Sequence, residues 1–353
     1  MRDDRRSVRV AFGLLALVAL AYGNTFRGPF VFDDVPSILE NESITSFSPW
    51  WKPLVPPSRF GFTVSGRPLV NLSLAINYAI SGTAVWSYHV VNFLIHAAAG
   101  LVLFGLVRRT VRQAVVPRLI REHELAFAGT VAALWLVHPL QTESVTYVIQ
   151  RAESLMGLCY LLTLYAFARS MASHGGIWWR SVAVVVCAAG MACKEVMVTA
   201  PLVILLYDRT FFAGSLIEAW RARWGAYLAL AGTWLLLIAL VTSTGGDRGG
   251  TYAFTLPAFL ESMQVQLEAV VIYLKLSLWP TPLVFEYGKQ SLGGTWLIVL
   301  CGTLVAALIA GTMWSLIKRP AVGFLGALFF LVLAPTSLLP GTTQLIVEHR
   351  MYV

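Results

Sequence analysis

Apolar residues run along this chain in blocks: Val8 to Tyr22, Val90 to Val107, Leu125 to Val137, Ala152 to Ala168, Tyr227 to Val241, Trp296 to Ile317 and Ala321 to Leu339. Each block is near the length that crosses ~30 Å of hydrocarbon as an α-helix. The pattern therefore predicts an all-α, polytopic membrane protein. Two stretches depart from it. Leu256 to Trp279 is apolar overall but carries Glu261, Gln264, Gln266, Glu268 and Lys275 at helical spacing, which predicts an interfacial or re-entrant helix ended by Pro280 and Pro282. Ser181 to Tyr207 holds Lys194-Glu195 at its middle, so each half is about a dozen residues, or about 18 Å of helix. A hairpin with its charged tip sunk toward a water-filled outer cavity satisfies the length and the charges together.

Composition supports a membrane class: 57% of the 353 residues are hydrophobic and 12% charged, against roughly 45–50% and 25% in soluble domains. The net charge of +8 does not point to nucleic acid, because the basic residues sit in short loops and form no stripe with interleaved aromatics. They report orientation instead. With the N-terminus in the cytoplasm, 16 of the 26 Lys and Arg fall inside, although the outer loops are longer, and 12 of the 18 acids fall outside. The run after Arg2, Arg5, Arg6 and Arg9 lacks a convincing cleavage site and reads as a retained anchor. The four cysteines lie in apolar runs and behave as small hydrophobes. Residues 24–88 form the longest polar stretch, an outer loop with interfacial aromatics in "SPWWKPLVPP".

Candidate chemistry gathers on the outer side. In "GPFVFDDVPSILEN", Asp34 before Val35-Pro36 fits a helix N-cap. A cap explains one carboxylate, not two. Asp33 and Asp34 also fit a general base with its orienter, and adjacent desolvated acids raise each other's pKa. "HPLQTESVTYVIQRAESL" crowds His138, Gln141, Glu143, Gln150, Arg151 and Glu153 into one outer connection, where Arg151 can pair with Glu153 or grip a phosphate. Lys194 and Glu195, charged within an apolar segment, fit either a structural ion pair or a phosphate site. Glu348, His349, Arg350 and Tyr352 lie just beyond the last apolar run. His89, Asn92 and His96 share one helical face, where a buried, hydrogen-bonded role is the commoner outcome, and His96 lies too deep to reach an outer pocket directly. No spacing supports zinc, so no metal site is assigned; a hard divalent cation at Asp33, Asp34 and Glu143 is a minor option. The sequons at Asn41 and Asn71 matter only in a eukaryotic secretory compartment.

Taken in order, "FVFDDVPSILEN", "GRPLVNLSLAINY", "YHVVNFLIHAAAGLVLF", "HPLQTESVTYVIQRAESL", "CKEVMVTAPLVILLYDR", "PTPLVFEYG" and "VEHRMYV" resemble the membrane part of the transmembrane and tetratricopeptide-repeat O-mannosyltransferases and their prokaryotic relatives. The resemblance runs from about residue 20 to the end. It implies a helical bundle of the GT-C superfamily across residues 1–353, with the acidic catalytic motif of the first outer loop mapping onto Asp33 and Asp34. It further implies a polyprenyl-phosphate sugar donor, with Arg151, Lys194 and Arg350 at the donor phosphate. His138, Gln141, Glu143, Glu153, Glu195, Glu348, His349 and Tyr352 are then expected around the pocket. The repeat array and last spans of that family are absent, which predicts a longer protein.

The activity expected is transfer of a mannose-like sugar to a hydroxyl on a protein or glycan acceptor at the extracytoplasmic face. The setting is the inner membrane in a prokaryote or the endoplasmic reticulum in a eukaryote. Alternatives are a transporter of lipid-linked saccharide, for which Lys194, Glu195 and His96 would line a path, and an inactive scaffold. Specificity rests on a few hydrogen bonds that a sequence does not place.

Overall fold

The computed structural model describes residues 2–58, 63–171, 175–245, 256–288, 293–338 and 345–353. Among the described residues there is no strand. In chain order the helices are α1 (Arg2–Tyr22), α2 (Pro68–Ser81), α3 (Trp86–Val111), α4 (Arg118–Glu122), α5 (Glu124–Val137), α6 (Thr142–Thr146) and α7 (Arg151–Ser170). There follow α8 (Gly176–Met191), α9 (Ala200–Asp208), α10 (Leu216–Ser243), α11 (Leu256–Leu278), α12 (Thr295–Lys318) and α13 (Pro320–Leu338). Every apolar block predicted to span is helical. Leu339, the expected end of the last block, lies outside the described residues.

Five stretches are long and apolar enough to cross a bilayer: Trp86–Val111, Glu195–Ala213, Leu216–Ser243, Thr295–Lys318 and Pro320–Ser337. A sixth forms if α5 and its continuation Pro139–Thr146, bent by 53°, count as one. The protein is an all-α polytopic membrane bundle. Helix α7, at 20 residues, is more polar than these and lies at the centre, packed between α3 and α8, with Met156, Tyr160, Leu164 and Phe167 buried. Lipid gives helices no hydrophobic reason to associate, so close packing must hold them, and small residues permit it. A Cβ added at Gly100 of α3 would collide with Leu136 of α5, and one at Gly105 with the Tyr165 ring of α7. Helix α12, by contrast, exposes Trp296, Val299, Leu304, Met313 and Ile317, as a lipid-facing helix should.

The sunken hairpin is corrected. Helix α8 begins at Gly176 rather than near Ser181, and the second half continues through a π-turn to Ala213, giving 16 and 19 residues where about a dozen each were expected. Lys194 is the break between them, in extended backbone at φ −159°, ψ 149°. Lys194 and Glu195 thus stand at the N-terminal end of a stretch long and apolar enough to cross, Glu195–Ala213, and at the C-terminal end of the shorter apolar helix Gly176–Met191.

Sidedness of the C-terminal part follows from one contact. His349, which follows α13, bonds Glu143 in the α5–α7 connection, so both lie on one face. Helices α12 and α13 are antiparallel neighbours joined at Arg319. Helix α11, which carries Glu261, Glu268 and Lys275, is not among the stretches of the described residues apolar enough to cross. Gln266 of α11 donates to the Leu345 carbonyl at 2.9 Å and Tyr273 accepts from the Val347 amide at 3.1 Å, so α11 runs alongside this segment.

The loop 24–88 is ordered around buried amides. Asn41 and Asn71, the two sequon residues, bond each other at 2.8 Å, and Asn71 also donates to Ser43 Oγ and the Pro53 carbonyl. Both are buried, so they serve as turn-fixing groups rather than attachment points.

Candidate active site

The two adjacent aspartates have different surroundings. Asp34 is fully buried, and it caps no helix with its side chain. Its Oδ2 accepts the Val31 amide at 3.0 Å and its Oδ1 the Ile149 amide at 2.8 Å, which ties the first loop to the start of α7. Asp33 is half-buried, and its carboxylate accepts a 3.4 Å bond from Thr63 Oγ1. Its own amide donates to Tyr147 Oη at 2.8 Å. Burial raises both carboxyls, Asp34 to about 6 despite the two amides that favour its anion, and Glu286 adds repulsion at Asp33. Phe32, just before the pair, is the positive-φ non-glycine residue of the described chain, at φ 43°, and costs about 1–2 kcal/mol. A π-turn, Val35–Leu39, follows directly. There Ser37 Oγ accepts the Thr63 amide at 3.1 Å, holding the two parts of the loop together.

From Thr63 the contacts lead to the charged junction. The Thr63 carbonyl accepts from Arg67 Nη1, and Arg67 Nη2 reaches Glu195 at 3.4 Å. Lys194 Nζ bonds Glu153 Oε1, and both are buried. Glu153 stands in the first turn of α7, where the helix dipole favours a carboxylate. Arg67 was missed in the sequence. It is buried at 6% exposure, and its Nε has no partner among the described residues, so this guanidinium keeps a donor unspent. The only sequence signal was a cation directly before the Pro-initiated α2.

The segment after α13 closes the site. His349 donates its amide to Glu143 Oε2 at 3.2 Å and sets Nδ1 2.7 Å from Oε1. Burial, together with Lys194, Arg350 and Arg67, pushes His349 down to about 3, while burial pushes Glu143 up to about 7. The two therefore form a neutral or singly charged pair, not a salt bridge. Glu348 Oε1 accepts the Val284 amide at 2.6 Å and Tyr287 Oη at 3.0 Å, and burial raises its pKa. Arg350 Nη1 donates to the Leu345 carbonyl at 2.9 Å.

Four expected site residues turn out differently. Arg151 is wholly buried: Nε donates to Asn92 at 2.7 Å, Nη1 to Asn77 at 2.5 Å and to Ser73, and Nη2 to the Tyr88 carbonyl at 2.8 Å. A cation so enclosed is scaffold, with no face for a donor phosphate. Tyr352 is also fully buried, its Oη 3.0 Å from His96 Nδ1 and its carbonyl accepting from Trp135. Since His96 Nε2 must donate to the Leu136 carbonyl at 2.9 Å, Nδ1 accepts from Tyr352, and both are packing groups. His138 turns its Nδ1 to the Leu140 amide at 3.3 Å, capping its own turn. Gln141 is buried beside that turn with Oε1 unpartnered among the described residues. As for a divalent cation, no group of three or more His, Cys, Asp or Glu among the described residues stands close enough to hold one. Both Asp34 oxygens are also spent on amides, so the set Asp33, Asp34 and Glu143 does not fit an ion.

Sequence comparison bears on this arrangement. Protein O-mannosyl-transferase Tmtc2 of Drosophila melanogaster is 31% identical over 294 residues, which cover 78% of this chain and 30% of that protein. Drosophila Tmtc1 is 34% identical over 207 residues, 56% of this chain and 22% of its own, and human TMTC3 is 28% identical over 206, or 55% and 21%. The chain is a relative of the transmembrane and tetratricopeptide-repeat O-mannosyltransferases. It spans less than a third of the length of these curated relatives. No family model and no solved structure matches this O-mannosyltransferase relative.

Proposed function

We propose that this chain is a membrane glycosyltransferase unit that moves a mannose-like sugar from a polyprenyl-phosphate donor to a hydroxyl on protein, at the extracytoplasmic face, with its N-terminus in the cytoplasm. The names of its relatives support the sugar and the acceptor class. The observation that carries the reading is the connection of Asp33, through Thr63 and Arg67, to the half-buried Glu195 and its neighbour Lys194, which pairs with the buried Glu153. A base and a set of cations at one site are what such a transfer requires.

Asp33, with a raised pKa and little hydrogen bonding, accepts the proton of the acceptor hydroxyl. The hydroxyl oxygen bonds the anomeric carbon as the bond from that carbon to the phosphate oxygen breaks, and the electron pair leaves on the phosphate. Lys194, Arg350 and Arg67 stabilise that developing charge, the kind of fixed electrostatics that dominates such steps. Asp34 holds the loop that presents Asp33. A displacement of this form inverts the anomeric centre.

Reconstitution of the protein in proteoliposomes with radiolabelled mannosyl-phosphoryl-polyprenol and a Ser/Thr peptide library tests this. Transfer that Asp33→Asn reduces by about 10²–10⁴ is expected for loss of a general base. Sugar lipid crossing the bilayer without transfer would replace the reading with transport, and neither event with a scaffold.

A further inference from the structure

Phe32 is out of place by ordinary folding logic. Its backbone occupies the left-handed region at φ 43°, yet its side chain is 69% exposed, so no burial compensates the strain. Backbone strain at an exposed bulky residue belongs to functional positions rather than to folding. The ring stacks on Phe285 at 4.7 Å between centroids and 25° between planes, and Phe285, itself 41% exposed, lies 5.3 Å from the Tyr147 ring. Tyr147 accepts the Asp33 amide. Neighbours of Phe285 anchor it: Val284 and Tyr287 both bond Glu348. Three segments far apart in sequence thus build an aromatic ledge that shares Tyr147 with Asp33. Trp50 and Trp51, also exposed, pack against each other in an edge-on pair, as interfacial aromatics do.

The ledge and the cations reach Asp33 by different routes, the one through Tyr147 and its own amide, the other through Thr63 and Arg67. The base takes its proton from the acceptor hydroxyl, so an exposed surface that adjoins Asp33 through Phe32 and Tyr147 lies beside the acceptor. We infer that the Phe32–Phe285 ledge is an acceptor-binding surface that takes an apolar or aromatic side chain flanking the acceptor Ser or Thr of a polypeptide. The inference rests on the proposed transfer for its geometry, but it predicts a binding preference that exists whether or not sugar moves.

The test measures binding of two fluorescein-labelled peptides to the detergent-solubilised protein by fluorescence polarisation, one with Phe and Leu beside a central Thr and one with Gly in those places. Wild type is expected to bind the apolar peptide about 10-fold more tightly. Phe32→Ala should abolish the preference while leaving the Gly peptide unchanged, and Phe32→Trp should keep it. Phe32→Gly, which relaxes the backbone, should lose the preference with no fall in melting temperature, separating lost contact from lost fold. Equal binding of both peptides by wild type, or an undiminished preference in Phe32→Ala, overturns the ledge even if sugar is transferred. A preference that depends on Phe32 without any transfer upholds the ledge and strikes the proposed activity alone.

Discussion

The Asp34 carboxylate accepts the amide of Ile149, 115 residues away, at 2.8 Å, and so fastens the long loop before α2 to the start of the central helix. Its neighbour Asp33 has no such task. The pair therefore separates under mutation. Asp33→Asn should leave the melting temperature in detergent unchanged while removing transfer. Asp34→Ala should leave two buried amides unpaired, at about 1–3 kcal/mol each, and lower the melting temperature markedly. Differential scanning fluorimetry run beside the transfer assay reads both, and a stable Asp34→Ala protein would refute the division of labour.

Glu143 and His349 should flatten the pH dependence of stability between them. Glu143 rises from its ordinary 4.5 to about 7 on folding, so the folded state holds the extra proton between these values and stability falls as pH rises through them. His349 drops from 6.5 to about 3, so the unfolded state holds the extra proton between those values and stability rises with pH there. From about 4.5 to 6.5 the two slopes cancel. Below 4.5, stability should decline by about 1.4 kcal/mol per pH unit toward pH 3, with a short decline from 6.5 to 7. His349→Gln should leave only the falling slope and Glu143→Gln only the rising one, in melting curves taken from pH 3 to 8.

Arg151 should behave as a folding residue. Arg151→Lys supplies one ammonium where Asn77, Asn92, Ser73 and the Tyr88 carbonyl need a fork, and should cost about 3–5 kcal/mol. The readout is lost monodisperse protein in size-exclusion chromatography. A well-folded Arg151→Lys protein with a raised KM for donor alone would return this residue to the phosphate.

Lys194 and Glu153 invite a double-mutant cycle. Removal of either alone leaves a buried charge uncompensated, so Lys194→Met and Glu153→Met should each lose about 3–5 kcal/mol. The double variant should recover much of the stability, because apolar replacement of a whole buried pair is often neutral. Transfer should not return with it, since the cation is gone.

The spans were legible because a bilayer imposes length and apolarity on every crossing segment, and α3, α5, α10, α12 and α13 announce themselves that way. What the sequence could not disclose was how each charge is spent. Arg151 and Arg67 look alike on paper, but the partners of the first lie 59 to 78 residues away and exhaust it, while the second retains a free donor. Likewise the two aspartates differ only because Ile149 reaches one of them. The lengths of the two limbs around Lys194 were misjudged because Arg180 at the start of α8, and Asp208 and Arg209 before the π-turn to Ala213, interrupt the apolar runs.

Residues 345–352 lie against α11, contact Glu143 and seat Tyr352 against Gly157 of α7, where an added Cβ would come within 2.5 Å of the ring. A chain made from its N-terminus completes α13 before this wedge is synthesised. Until then the seat beside Gly157 has no occupant and Glu143 no histidine. The order of translation thus makes the cluster around Glu143 complete only once α13 and the residues after it have been synthesised.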